Sequence, residues 1–156
     1  MKKLLIKNIG ILATPLGSSA RGGEAQGAVQ MTKNAWVLAE DGVIAQAGEG
    51  TPPAAADAQV LDAGRNLVTP GLVDAHTHLI FGGWRQNELG LKLHGKSYLE
   101  IQNAGGGIQS TTNATRLASV EELARKAERA LDEMMSFGTT TCEAKSGYGL
   151  ATEHEL

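Results

Sequence analysis

His76-Thr77-His78 is the short stretch of this sequence whose residue types and spacing could assemble a reactive centre. On a β-strand, residues two apart project from the same face, so both imidazoles can reach a single metal ion. Neutral imidazole is a good ligand for zinc and other divalent transition metals. Taken alone, the spacing describes surface or packing histidines equally well. The context adds more. The pair lies late on the mostly apolar run from Leu72 to Ile80, just after Thr69-Pro70-Gly71. That is where a barrel strand would meet its active-site mouth. Histidines buried there without a partner would leave polar ring nitrogens unsatisfied.

The other polar residues carry less. Asp74, two residues before His76, is placed to support the strand end by hydrogen bonding. Glu143 and Lys145 share one face of a later strand, either as an inward ion pair near the mouth or as a packing contact. Tyr98 either borders a pocket or packs against its own helix. His94 and His154 lack ligand spacing and read as solvated. Cys142 is flanked by threonines with no neighbouring base, which favours buried packing over a nucleophile. Asn103–Gly107 follows a helical pattern instead of opening one, so a phosphate-binding loop is not supported.

The elements that must position these groups fall into two stretches. The first begins with an apolar strand in Met1–Asn8, then a Gly-, Ser- and Ala-rich segment, Gly17–Gly27, that reads as an exposed loop. Ala35–Ala39 and Val43–Ala47 flank Glu40-Asp41-Gly42, a strong hairpin signal. Thr51–Ala56 is a Pro- and Ala-rich surface connection, and Val60–Ala63 offers one more short strand. In the second stretch, Leu72–Ile80 predicts a strand buried on both faces, as in a parallel sheet. Ser97–Glu100 and Ser119–Glu122 are capping-box patterns. The first starts a short helix ended by Gly105-Gly106-Gly107. The second starts a longer one, with Val120, Leu123, Ala127, Ala130, Leu131 and Met134 at helical spacing. Gly138 is its natural stop. Thr139–Ala144 predicts the next strand, and Ser146–Gly149 a loop after it. Strand, helix, strand is the grammar of a β/α unit.

Composition narrows the class. With 42% hydrophobic and 20% charged residues in 156, the chain reads as soluble and globular. A net charge of −3 gives no electrostatic reason to expect nucleic acid or an anionic membrane as partner. No apolar run approaches the ~18 residues of a membrane-spanning helix, and Lys2-Lys3 is not followed by a signal-peptide core. The single cysteine excludes an internal disulfide and suits a cytoplasmic location. Aromatic residues make up only 4%, so the core must be built from Leu, Val, Ile and Ala.

Val68-Thr69-Pro70-Gly71-Leu72-Val73-Asp74-Ala75-His76-Thr77-His78 resembles the first barrel strand of the amidohydrolase superfamily. Three further stretches narrow the likeness. Phe81–Arg85, Asn103–Ile108 and Glu143–Leu150 are together, and in order, similar to the imidazolonepropionase family within it. The resemblance runs from about Leu4 to the end and is weakest around Gly17–Gly27.

The resemblance implies an α/β fold: residues 1–66 as strands of a small composite β-sandwich, then 67–156 as the first β/α units of a (β/α)8 barrel. It implies that the chain is an N-terminal portion, reaching only the second barrel strand. His76 and His78 match the first two ligands of one zinc or iron ion. Arg85 matches an arginine that binds the substrate's propionate, a role its forked guanidinium suits. Tyr148 matches a substrate-contacting tyrosine. The implied reaction is hydrolytic opening of 4-imidazolone-5-propanoate to N-formimino-L-glutamate by metal-activated water, in histidine degradation. The remaining metal ligands and the acid–base groups would come from later strands. No catalytic residue is therefore expected in these 156 residues, which should be inactive alone. Expected partners are the small-molecule substrate and, for the full-length enzyme, a second copy in a homodimer. The alternatives are another heterocycle amidohydrolase or aminohydrolase of the same fold, and a non-catalytic fragment retained for binding or assembly. A planar uncharged heterocycle would give Arg85 no carboxylate to hold.

Overall fold

The structure is a computed structural model that describes residues 2–156. The chain divides into two compact units, Met1–Pro70 and Gly71–Leu156.

The first unit is a five-stranded sheet. Its long central strands are β1, Lys3–Pro15, and β2, Val29–Glu40, paired antiparallel. β3, Val43–Glu49, adds antiparallel to β2. Along the other side of β1 lie two short parallel strands, first β4, Gln59–Asp62, then β5, Leu67–Val68. Both central strands run well beyond the expected bounds. β1 continues past Asn8 because a register shift between Ile6 and Ile9, with Asn8 at φ 55°, absorbs an irregular residue without ending the pairing. Met1, part of the expected first strand, lies outside the described residues. Most of Gly17–Gly27 is exposed loop, closed by a 3-10 turn at Gly23–Gly27.

The hairpin is as expected. Asp41 and Gly42 both have positive φ, 48° and 85°, in a two-residue turn between paired Glu40 and Val43. That backbone matches the twist of the strands it joins. Alternation along β1 and β2 buries Ile9, Ala35 and Val37 together, with Ile6, Leu12, Ala63 and Val68 against them.

The second unit pairs two parallel strands, β6 at Leu72–Thr77 and β7 at Thr139–Ala144. Between them come four helices: α1 (Asn87–Leu93), α2 (Tyr98–Asn103), α3 (Gly107–Leu117) and α4 (Val120–Ser136). A short helix, α5, follows at Thr152–Glu155. Both capping boxes are present. Ser97 and Ser119 each accept a hydrogen bond from the backbone of the third helical residue, whose glutamate side chain reaches back.

Three expectations need correction. The strand predicted over Leu72–Ile80 stops at Thr77, and His78 lies just past its end. Nor is it buried on both faces: Leu72 is 55% and Val73 68% exposed, and among the described residues β6 pairs with β7 alone. Third, Asn103–Gly107 both ends one helix and opens another, α3. Its Thr-rich sequence hides that helix, since β-branched residues favour strands. In the fold, Thr112 and Thr115 turn their hydroxyls back onto the carbonyls of Ile108 and Thr111, at 3.0 and 2.8 Å. Buried threonines thereby face neighbouring segments without unsatisfied oxygens. Among the described residues no helix is long and apolar enough to cross a membrane.

Candidate functional site

The His76–His78 pair sits where β6 gives way to loop. The two imidazoles lie edge to face, with centroids 5.6 Å apart. Asp74 supports the strand end as expected, its Oδ1 accepting the His76 N–H at 3.1 Å. The pairing of β6 with β7 is irregular over this stretch, between Asp74 and Thr77. His76 is exposed and His78 half-buried. The His78 Nδ1 atom is buried and has no hydrogen-bond partner. A polar atom in that condition costs free energy unless something binds it or the ring. Two adjacent imidazoles and a buried, unpartnered ring nitrogen fit a divalent transition metal as part of its donor set. They are not a whole set, since catalytic zinc normally takes three protein ligands. Among the described residues no group of three His, Cys, Asp or Glu side chains could hold an ion.

The loop after β7 brings Tyr148 to this pair. Its ring centroid lies 4.9 Å from that of His78 and 5.8 Å from that of Phe81. Glu155 of α5 orders the loop, accepting hydrogen bonds from the N–H groups of Gly147 and Leu150, both at 2.8 Å. The Leu150 N–H, foremost among several donors, holds the Glu155 carboxyl below the usual glutamate range. Arg116 of α3 adds a bond from Nε to the Gly149 carbonyl at 2.7 Å. Tyr148 also borders a cleft of about 550 Å³ between this loop and the ends of α3 and α4, with Ile80, Arg116 and Leu123 in its wall.

The Phe81–Arg85 segment is gripped from two sides. Gly82 donates its N–H to Thr115 Oγ1 at 2.9 Å. It lies so close to α3 that a Cβ on it would sit 2.3 Å from the Ala114 carbonyl oxygen, so no larger residue fits. From α4, Lys126 Nζ donates to the carbonyls of Phe81 and Gly83, at 2.9 and 2.7 Å. The same ammonium stands over the Phe81 ring, 3.3 Å from its centroid, and the Trp84 ring, at 4.1 Å. Partial burial, which strips water from the ammonium, pulls the Lys126 pKa below its ordinary value. Arg85, the next residue, is half-buried and places Nε 3.5 Å from Glu88 Oε1.

Aromatic contacts therefore run from His76 through His78, Tyr148 and Phe81 to Trp84, next to Arg85. Among the weaker candidates, Glu143 and Lys145 form an ion pair at 2.6 Å, with both side chains substantially exposed. Tyr98 is 54% exposed. His94 caps its own helix, with Nδ1 2.7 Å from the Gly90 carbonyl oxygen. Cys142 is only half-buried, along a groove it shares with Leu131 and Met134. Sequence reasoning missed Glu88, Lys126 and Glu155. None had a helical-spacing signal: Glu88 stands three residues from Arg85, but Arg85 lies before α1 begins.

No protein-family model matches the chain. Among solved structures it resembles the E. coli guanine deaminase, with a TM-score of 0.59 and 19% identity, over 92% of this chain and 31% of that one. It also resembles the guanine deaminase from Bradyrhizobium japonicum, with a TM-score of 0.50 and 22% identity, over 99% and 32%. At such identities the likeness concerns the fold alone, that of amidohydrolase-type deaminases. Curated sequences are much nearer. The imidazolonepropionase of Alkaliphilus metalliredigens is 47% identical over the whole chain and 38% of its own length. That of Bacillus cereus is 53% identical over 85% of the chain and 31% of its own length. The chain thus spans about a third of the length of the relatives it matches. At this level of identity, sustained from end to end, the chain is similar over its whole length to imidazolonepropionases.

Proposed function

We propose that this chain supplies part of the active site of an enzyme that opens 4-imidazolone-5-propanoate to N-formimino-L-glutamate by hydrolysis, in histidine degradation. The observation that carries the reading is the meeting of His76, His78 and Tyr148 at the end of β6. His76 and His78 would hold one zinc or iron ion, with the remaining ligands and the acid–base groups contributed from outside these 156 residues. When bound, such an ion activates water and polarises the carbonyl under attack.

Within this chain the work is binding and orientation. Arg85 would grip the propionate through two parallel hydrogen bonds, fixing the ring relative to the histidines. Tyr148, packed on His78, would close one side of the ring's position. Water adds to the ring carbonyl carbon, the C–N bond breaks, and the departing nitrogen takes up a proton. In the whole protein, β6 and β7 would be the first two strands of a (β/α)8 barrel. The first unit would supply strands of a composite β-sandwich. The enzyme would act in the cytoplasm as a homodimer, with no nucleic-acid or membrane partner.

A second reading, deamination of an uncharged heterocycle, takes its support from the fold of the guanine deaminases. Arg85 favours the first, since guanine has no carboxylate to hold. The test is to purify the full-length protein, measure bound metal, and follow consumption of the imidazolone and of guanine in parallel. Ring opening with metal present is the expected result, and turnover of guanine alone would overturn it.

A further inference from the structure

We infer that Glu88 is a positioning residue that aims the Arg85 guanidinium at the substrate's carboxylate, an inference resting on the substrate role proposed for Arg85. Glu88 lies in the first turn of α1 and is only 5% exposed, an unusual place for a carboxylate. Its Oε1 accepts the Gly107 N–H at 2.6 Å and lies 3.5 Å from Arg85 Nε. The Gly107 N–H opens α3, a helix of 11 residues whose N-terminal end attracts negative charge. Gly106 makes room for this arrangement. A Cβ there would stand 3.0 Å from Glu88 Oε1 and 2.7 Å from Ile101 Cγ2. The glycine-rich stretch before α3 therefore lies against a carboxylate of the protein's own.

The geometry divides the guanidinium into two edges. Glu88 comes nearest at Nε, 3.5 Å away, which leaves the edge formed by the two terminal nitrogens to face a second carboxylate. Arg85 keeps 35% of its side chain exposed, while Glu88 keeps 7%. One end of the pair is thus anchored and the other presented. A free arginine would lose rotamer freedom on gripping a ligand; one already held by Glu88 has less to lose.

The test compares four full-length proteins: wild type, Arg85→Ala, Glu88→Gln and the double variant. Each is assayed on the propionate substrate and on its uncharged propionamide analogue. The readout is the ratio of kcat/KM between the two substrates, which loss of folded protein leaves unchanged. Arg85→Ala should collapse that ratio. Glu88→Gln keeps the volume and an acceptor for Gly107 and should lower the ratio by on the order of ten- to a hundredfold. The double variant should be no less selective than Arg85→Ala. If Arg85→Ala collapses the ratio and Glu88→Gln does not, the positioning role fails while that of Arg85 stands. If Arg85→Ala leaves the ratio intact, both fail. A measurement on the wild type covers a Glu88→Gln protein that does not fold. The Arg85 Nε–H proton should exchange slowly with water, and exchange as fast as in free arginine would overturn the proposal.

Discussion

The Lys126 ammonium of α4 stands 3.3 Å from the centre of the Phe81 ring while donating hydrogen bonds to the carbonyls of Phe81 and Gly83. One cation thus fixes both the backbone and the ring of the segment that leads to Arg85. Lys126→Met should keep the packed stem but lose the charge and both bonds. The expected cost is about 1–2 kcal/mol of stability, because two carbonyls lose their donor and two rings lose the cation. Chemical denaturation measures that loss, and the Trp84 indole resonance should shift with it.

Arg85→Ala in the full-length protein should weaken use of the propionate substrate by on the order of 2–4 kcal/mol in kcat/KM, since a carboxylate would lose a charge-assisted partner. Metal content should hardly change, because the substitution leaves both histidines in place. Steady-state kinetics beside metal analysis checks both halves. A variant with unchanged kinetics, or with lost metal, would contradict the proposed role.

The 156-residue polypeptide alone should bind zinc weakly and leave imidazolone untouched. His76 and His78 are two donors, and catalytic zinc normally takes three protein ligands with a position open. Metal stoichiometry after desalting, with an assay for imidazolone loss, checks this. Tight one-to-one zinc with turnover would mean that the two histidines are not working as an incomplete set.

The loop carrying Tyr148 should loosen in acid. Glu155 has its carboxyl pKa lowered, first by the Leu150 N–H, so the folded state binds its proton less readily than the unfolded chain does. The stabilisation is fully present above the ordinary glutamate range and fades as pH falls through the depressed folded value. The amide resonances of Gly147 and Leu150 should move together over that window in wild type. In Glu155→Gln they should stay still.

Much of the local architecture was legible because its signals are local. The two capping boxes, the Asp41-Gly42 turn and strand β7 each follow from a few adjacent residues. The His76–His78 spacing was equally visible, and so was its place at the end of an apolar run. Helix α3 was not, because its threonines bury their hydroxyls only through bonds formed once the helix exists. Glu88 and Lys126 were hidden for a related reason. Their partners, Gly107 and the Phe81–Gly83 carbonyls, lie 19 to 45 positions away, where helix spacing carries no information. The exposure of β6 also escaped, since an apolar run reports what a strand is suited to meet and not which neighbours it has.

The parallel pairing of β6 with β7 has a kinetic consequence. Leu72 and Thr139 are partners more than 60 positions apart, and every residue between them must be gathered before the ladder can close. Loop-closure entropy makes such contacts slow to form, whereas the hairpin and the capped helices need only their own neighbours. In refolding, α4 and the β2–β3 hairpin should therefore gain amide protection early, and β6 late. The end of β6, with His76 on it and His78 just beyond, would take its shape only after α3 and α4 have formed. Ligand affinity should then return later than helical signal as the protein refolds.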